Sequence, residues 1–171
     1  MEGVVVGMDG SACAARALVW AVTEAARQGW AVTAVLAWGF PDHHDGIVGE
    51  GFDRQHGEGA AKAALDADIE RTLGPSGADV QRRTVCDFAA RALLEAAADA
   101  ALLVVGARGV GGSRELLLGA VSEHCLHYAT CPVAIVRPAT ATGLLAGELC
   151  TATVFDPAIF DDDARTTVDA G

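Results

Sequence analysis

The sequence predicts an α/β fold with a doubly wound parallel sheet, and three features point to it. Short apolar runs recur along the chain, and each is continuous rather than alternating, which is typical of strands buried on both faces. Segments of helical composition separate these runs, as the crossover connections of a parallel sheet require. The resulting count is five strands alternating with four helices.

Local residue types predict where each element begins and ends. Ser11 is the expected N-cap of the first helix, and Gly29 ends it. The third strand is the weakest, and Arg82 and Arg83 within it favour an edge position. A segment rich in glycine and histidine, residues 39–59, is predicted to be a long loop. The predicted strands are residues 3–9, 32–38, 80–85, 101–105 and 133–136, and the predicted helices are residues 13–27, 60–73, 88–98 and a segment from the glycine-rich turn to about residue 129.

The composition is that of an acidic globular protein. The 171 residues carry a formal net charge of -11 and are 51% hydrophobic. An acidic surface repels nucleic acids and anionic membranes, so neither is an expected partner. No apolar stretch of the sequence approaches the ~18–20 residues that span a bilayer. The five cysteines are scattered, with no C-x-x-C pair. We therefore expect a cytoplasmic protein with reduced thiols.

The chain is predicted to divide at residue 138. Residues 1–138 contain every predicted strand and helix. Residues 139–171 alternate alanine with threonine and include three consecutive aspartates, so they are predicted to be an acidic C-terminal tail that is largely disordered. Within this tail, residues 144–149 and 154–160 are apolar enough to dock on a partner or on the domain itself.

The segment after the fourth strand has the residue pattern of an anion site. Gly106 and Gly109 follow a buried strand, and a helical pattern comes after them. Such a strand–turn–helix unit can converge backbone N–H groups on an anion. Gly119 interrupts the helical pattern, so a new helix N-terminus can begin at Ala120, and the hydroxyl of Ser122 can join its backbone donors.

Two other strands are expected to end at the same edge of the sheet. Ligands of doubly wound sheets bind beyond the carboxyl ends of the strands, and Asp9 and Ala37 lie at these ends of the first and second strands. Asp9 also has a plainer interpretation as a turn-forming residue before Gly10. His124 and His127 are interpreted as surface or packing residues rather than metal ligands.

The common nucleotide motifs and a catalytic base are both missing from the sequence. The glycines are not followed by Gly-Lys-Ser/Thr, and the first strand lacks G-x-G-x-x-G. No residue stands out as a general base beside the glycine-rich turn. An enzyme is therefore not expected, beyond slow nucleotide hydrolysis through positioning and a bound Mg²⁺.

The spacing of the glycines resembles that of one known family. Gly106, Gly109 and Gly119 fit the pattern G-x2-G-x9-G, followed by Ser or Thr, of the ATP-binding branch of the universal stress protein family. The flanking sequence from Leu102 to Pro138 and the opening VVVGMDGS are similar to the family's own. The resemblance covers about residues 2–138.

The resemblance implies a fold, an assembly and a ligand. The fold would be a five-stranded, three-layer α/β/α sandwich of flavodoxin-like topology with strand order 3-2-1-4-5. The assembly would be a homodimer paired through the last strand, from Val133 to Val136. The ligand would be ATP with Mg²⁺, with Asp9 at its adenosine end and the backbone of Ala37 lining the adenine. The residues that would form the phosphate cradle are Gly106, Gly109, Gly119, Ala120, Val121 and Ser122.

Two positions depart from the family pattern. Ala120 stands where the pattern has Ser or Thr, so one hydroxyl donor to phosphate is missing and weaker binding is expected. Cys86-Asp87-Phe88-Ala89 stands where the family has a Gly-x-Pro turn, and Asp87 would add negative charge if it faced the crevice. Three hypotheses follow: an ATP-binding stress-response module, an interaction protein without nucleotide that acts through dimerisation or its tail, or a nucleotide hydrolase or transferase on the same scaffold. The missing general base argues against the third.

Overall fold

The computed structural model describes residues 3–39, 54–109, 118–138 and 150–158. They form one six-stranded sheet in the order β3-β2-β1-β4-β5-β6, with helices on both faces. In chain order the elements are β1 (Gly3–Met8), α1 (Ala12–Gln28), β2 (Ala31–Trp38), α2 (Arg54–Leu73), a 3-10 turn (Gly74–Gly77), β3 (Gln81–Cys86), α3 (Ala89–Ala96), β4 (Leu102–Gly106), α4 (Ala120–Tyr128), β5 (Val133–Pro138) and β6 (Cys150–Phe155).

The first five strands confirm the predicted parallel sheet and its order 3-2-1-4-5. Alternate side chains of these strands enter two separate cores, which is why their apolar runs are continuous. Val4 and Val6 pack with α1 and α2 on one face, whereas Val5 and Leu103 pack with α3 and α4 on the other. The three-layer flavodoxin-like arrangement is therefore present, and the weak third strand lies at the edge, as its arginines predict.

The sixth strand is an addition to the five predicted strands. It lies in the predicted tail, over Cys150–Phe155, and pairs antiparallel with β5. This segment forms a strand because it pairs with β5, and local composition does not reveal such tertiary pairing. β6 also occupies the β5 edge from Val133 to Val136, through which the resemblance implies a homodimer. Residues 139–149 and 159–171 of the predicted tail lie outside the described residues.

The caps of α1 match the sequence prediction. The Ser11 hydroxyl oxygen accepts the N–H of Ala14 at 3.1 Å, and Gly29 closes the helix with φ of +71°. That left-handed conformation suits glycine, because it has no Cβ to clash with the carbonyl group. Both ends of α1 are therefore specified by single residues.

Helix α2 begins at Arg54 rather than at residue 60, so the predicted loop is shorter than expected. Gly57 explains part of this difference. A Cβ on Gly57 would lie 2.5 Å from the ring of Trp38 at the end of β2, so only glycine lets this turn of the helix approach the indole so closely. The rest of the predicted loop, residues 40–53 with His43 and His44, lies outside the described residues.

Across the described ranges, no helix is both long enough and apolar enough to cross a membrane.

Candidate functional site

The register of the sheet brings three predicted site segments to one edge. Met8 pairs with Leu36, so Asp9, the residue just after β1, lies level with Ala37 near the end of β2. Val6 pairs with Val104, so Gly106 at the end of β4 lies level with Met8. The carboxyl ends of β2, β1 and β4 therefore meet in this order, with Asp9 in the middle.

The carboxylate of Asp9 contacts two neighbouring segments, one through each oxygen. Its Oδ1 accepts the N–H of Ser11 at 2.9 Å, and this short turn is completed by Gly10 with φ of +80°. Asp9 is thus a turn-forming residue, as its plainer interpretation holds. Its Oδ2 lies against Gly109, where any Cβ would overlap it. The structure therefore places Asp9 beside the glycine-rich turn, although the two are far apart in sequence.

Gly109 and Gly119 lie side by side at the start of α4. A Cβ on Gly119 would be 3.7 Å from the backbone nitrogen of Gly109, and the N–H of Gly119 donates to the carbonyl oxygen of Ala107 at 2.7 Å. This bond joins the residue after β4 to the residue before α4. No sequence pattern indicates the role of Ala107, because it acts through its backbone alone.

Helix α4 begins at the predicted position, Ala120, with Gly119 as an N-cap that provides no side-chain acceptor. The N–H groups of the first turn of a helix have no acceptor within the helix. They also lie at the positive end of the helix dipole. Ala120 and Val121 are exposed. The turn can therefore offer backbone donors to an anion from outside, as the sequence predicts.

Ser122 has a different role from the one predicted for its hydroxyl. The side chain is only 4% exposed, and its hydroxyl donates to the carbonyl oxygen of Gly106 at 2.6 Å. A serine hydroxyl has one proton, so this bond leaves no hydroxyl donor for a ligand. Ser122 ties the first turn of α4 to the end of β4, and its backbone N–H remains part of the first turn.

Gly106 has a packing function that the sequence did not indicate. A Cβ at this position would lie 2.9 Å from the Cβ of Cys13 and 3.1 Å from the backbone nitrogen of Ala14. The first turn of α1 therefore packs directly on the backbone of β4. This contact is a sufficient reason for glycine at residue 106 even without a ligand.

Ala37 lies on the far side of Asp9 from the glycine-rich turn. It is half-buried in β2 and pairs with Val85 of the edge strand. A ligand that reached from Ala37 to Gly109 would pass over Asp9, because β1 lies between β2 and β4. Arg108 is half-buried within the turn, and Arg114 lies outside the described residues.

Asp87 does not add an uncompensated charge to this edge. It is buried, with Oδ1 accepting the N–H of Phe88 at 2.7 Å and Oδ2 accepting the Nε–H of Arg91 at 2.6 Å. These contacts begin α3 in place of the Gly-x-Pro turn of the related pattern. The departure at Asp87 is therefore accommodated locally by an ion pair.

The histidines and cysteines of α4 form no metal site. The ring of His124 contacts that of Tyr128 with centroids 4.5 Å apart. Burial raises the pKa of the Cys125 thiol from 9.0 to about 12, with the nearby Cys131 adding to the increase, and burial also raises the pKa of Cys131. Both thiols are neutral at physiological pH. The described residues contain no group of three His, Cys, Asp or Glu side chains that could hold a metal ion.

Comparisons with known proteins agree with this architecture. Residues 1–137 match the family model described as the universal stress protein family. A universal stress protein of Mycobacterium tuberculosis is 37% identical over 138 residues, which cover 78% of this chain but 45% of that protein. This chain thus spans about half the length of that relative.

Two solved structures share the fold. Universal stress protein UspA from Lactobacillus plantarum superimposes with a TM-score of 0.65 at 19% identity, over 80% of this chain and 97% of that one. A universal stress protein in complex with cAMP superimposes with a TM-score of 0.58 at 30% identity, over 80% and 97% of the two chains. With a family match that runs through β1 to β5, this chain belongs to the universal stress protein family.

Proposed function

We propose that this protein binds an adenine nucleotide, with ATP as its ligand, as a regulatory module of a stress response. The observation that carries the proposal is the meeting of Gly109, Gly119 and the first turn of α4 beside Asp9. The related structure solved with cAMP supports an adenine nucleotide as the ligand class.

The donors of this edge suit a phosphate group. Backbone N–H groups of Ala120, Val121 and Ser122 lie in the first turn of α4, where the helix dipole favours negative charge. Gly109 and Gly119 have no side chains to keep a phosphate away from these donors. The site can therefore hold a phosphate within a chain of net charge -11.

The position of Asp9 suits the ribose rather than the phosphates. A carboxylate accepts hydrogen bonds from hydroxyl groups and repels phosphate oxygens. Asp9 lies between Ala37 and the glycine-rich turn, so the adenine would lie near Ala37, the ribose over Asp9 and the phosphates at α4. Mg²⁺ would arrive bound to the phosphates, as is usual for this ion, and would offset the charge of Asp9.

Binding without efficient catalysis is the expected activity. Efficient phosphoryl transfer needs a residue that positions or deprotonates the attacking group. At the edge formed by the described residues, Asp9 is the carboxylate beside the glycine-rich turn, and its Oδ1 already accepts the N–H of Ser11. Any ATP hydrolysis would be slow.

A second function, as an interaction protein without nucleotide, is favoured by one observation. Ala120 lacks a hydroxyl, and the hydroxyl of Ser122 donates to Gly106. The phosphate donors that remain are backbone groups. The two functions differ in whether an adenine nucleotide binds at all.

The test is a binding experiment with matched glycine variants. The purified protein is first denatured and analysed by mass spectrometry for co-purified adenine nucleotide. Titration calorimetry with Mg-ATP and with cAMP then compares the wild type with Gly119→Ala and Gly59→Ala. A Cβ on Gly119 makes only ordinary contacts and its φ of -82° suits alanine, so the variant should fold with a methyl group in the cradle. A Cβ on Gly59, on the exposed side of α2, meets nothing within 4 Å.

We expect Gly119→Ala to weaken Mg-ATP binding by at least about tenfold, since a phosphate would lose one or more charge-assisted hydrogen bonds. Gly59→Ala should bind like the wild type. The absence of both co-purified nucleotide and calorimetric binding would reject the proposal in favour of the interaction protein. Equal affinity of the two glycine variants would place the phosphates away from α4.

A further inference from the structure

The side chains of β5 are apolar and are buried on both faces of the sheet. Val133, Ala134, Ile135 and Val136 are each at most 2% exposed in the folded chain. Without β6, the edge of this strand would have unpaired N–H and C=O groups next to apolar side chains, which favours pairing with another chain. Some element must cover this edge if the protein is to stay monomeric.

β6 covers the whole of that edge. Its register runs from Val133 opposite Phe155 to Pro138 opposite Cys150. Phe155 packs on the core beneath α3 and α4, and Ala152 packs on the core beneath α1 and α2. β6 therefore extends both cores as well as the hydrogen-bonded ladder.

We propose that β6 is an intramolecular cap whose pairing with β5 keeps the protein monomeric by excluding a second copy from the β5 edge. Release of β6 would let β5 strands of two copies pair about a two-fold axis. This proposal does not depend on nucleotide binding.

The connection between β5 and β6 is short in sequence, so β6 should compete successfully with a second copy for the β5 edge. Pro138 and Cys150 are paired, so residues 139–149 join two points that are already adjacent. A connection this short in sequence gives an effective concentration in the millimolar range. A second copy at micromolar concentration would compete at a disadvantage of about a thousandfold for equal pairing energies.

The outer edge of β6 is a poorer interface than the edge it covers. Thr153 and Val154 are exposed, and Val154 is 52% exposed. Pairing there would bury less apolar surface on the sheet faces than pairing at β5, because β6 is less deeply flanked by helices. The contacts of β6 with helices are chiefly to α1.

The first experiment asks whether β6 pairs within its own chain. Arg137 and Thr151 are directly opposite, and residues opposite each other on antiparallel strands lie within the span of a disulfide. The full-length variant Arg137→Cys/Thr151→Cys, with Cys150→Ser to remove a competing thiol, is oxidised and mapped by mass spectrometry. We expect the disulfide to form within one chain. A disulfide between chains would overturn the proposal, because β6 would then pair in trans.

The second experiment releases β6 in the full-length chain. Thr153→Pro and Val154→Pro are matched variants, because neighbouring residues of an edge strand direct their N–H groups to opposite sides. One proline removes a donor to β5 and the other removes a donor to solvent. Light scattering coupled to size exclusion should show a monomeric wild type. The variant that loses the donor to solvent should also be a monomer, and the variant that loses the donor to β5 should be a dimer.

Two outcomes of this experiment would overturn the proposal. One is a variant that stays monomeric although hydrogen exchange shows β6 released. The other is a wild-type dimer, whether or not the proline variants dissociate it. If the proline variants fail to fold, Phe155→Ser removes the packing of the cap while keeping every backbone donor, and we expect partial dimer from it. An unchanged monomer from Phe155→Ser, with β6 released in hydrogen exchange, would also reject the proposal.

Discussion

Restoring a hydroxyl at residue 120 is the most direct test of the phosphate cradle. Ala120 is the first residue of α4, it is exposed, and it follows an N-cap glycine that has no side chain. A serine or threonine at this position would add one donor beside the backbone N–H groups of the first turn. Ser122 does not already provide this donor, because its hydroxyl bonds to Gly106.

The expected gain follows from the charge of the acceptor. A hydrogen bond to a charged group contributes about 1.5–3 kcal/mol, which corresponds to about ten- to a hundredfold in affinity. Ala120→Ser should therefore bind Mg-ATP at least about tenfold more tightly than the wild type. Little change in the free energy of unfolding is expected, because residue 120 is exposed and remains in the first turn of the helix.

The assay separates the hydroxyl from the added volume. Ala120→Thr and Ala120→Val have nearly the same shape, and only threonine has the hydroxyl. Titration calorimetry with Mg-ATP should rank threonine above valine, with the wild type close to valine or above it. Equal affinities for the threonine and valine variants would show that residue 120 does not face a phosphate, and the proposed orientation of the nucleotide would then be wrong.

Three further predictions concern contacts around the site. Ser122→Ala should lower the free energy of unfolding by about 1–3 kcal/mol in urea titrations, because the carbonyl of Gly106 loses its buried partner. Burial raises the pKa of Cys125, so its thiol ionises at a lower pH in the unfolded chain than in the folded chain. The free energy of unfolding should therefore fall as pH rises from 9.0 towards about 12. Cys125→Ala should reduce this fall, as urea midpoints measured across that range would show. Asp87→Ala should destabilise the fold by about 1 kcal/mol through loss of the acceptor for Phe88, whereas Asp87→Asn keeps that acceptor and should lose less, as urea midpoints would show.

Much of the fold is predictable from local patterns. Continuous apolar runs located β1, β2, β4 and β5, because strands buried on both faces need apolar residues at every position. Ser11 and Gly29 located the ends of α1 through their side-chain oxygen and left-handed backbone. The same approach placed the start of α4 at Ala120, since Gly119 breaks the helical pattern there.

Features that depend on distant contacts were less predictable. The start of α2 near Gly57 depends on the ring of Trp38, and β6 depends on the edge of β5. Phe155 lies in a segment that the sequence marks as apolar enough to dock on the domain, but the partner strand is not visible from composition. In the site, Asp9 and Gly109 were expected at one edge, whereas the bond from Ser122 to Gly106 is a tertiary contact that no local pattern indicates.

β6 runs antiparallel to β5, so its two ends lie at opposite edges of the sheet. Pro138 and Cys150 lie at the end of β5 that shares the edge with the glycine-rich turn, whereas Phe155 lies opposite Val133 at the other end. Insertions between residues 139 and 149 would thus be made on the side where the nucleotide is proposed to bind. A dye or surface anchor attached at Ala158, just after β6, would be about 20 Å away, the length of a strand of six residues, and would leave that side open to ligand.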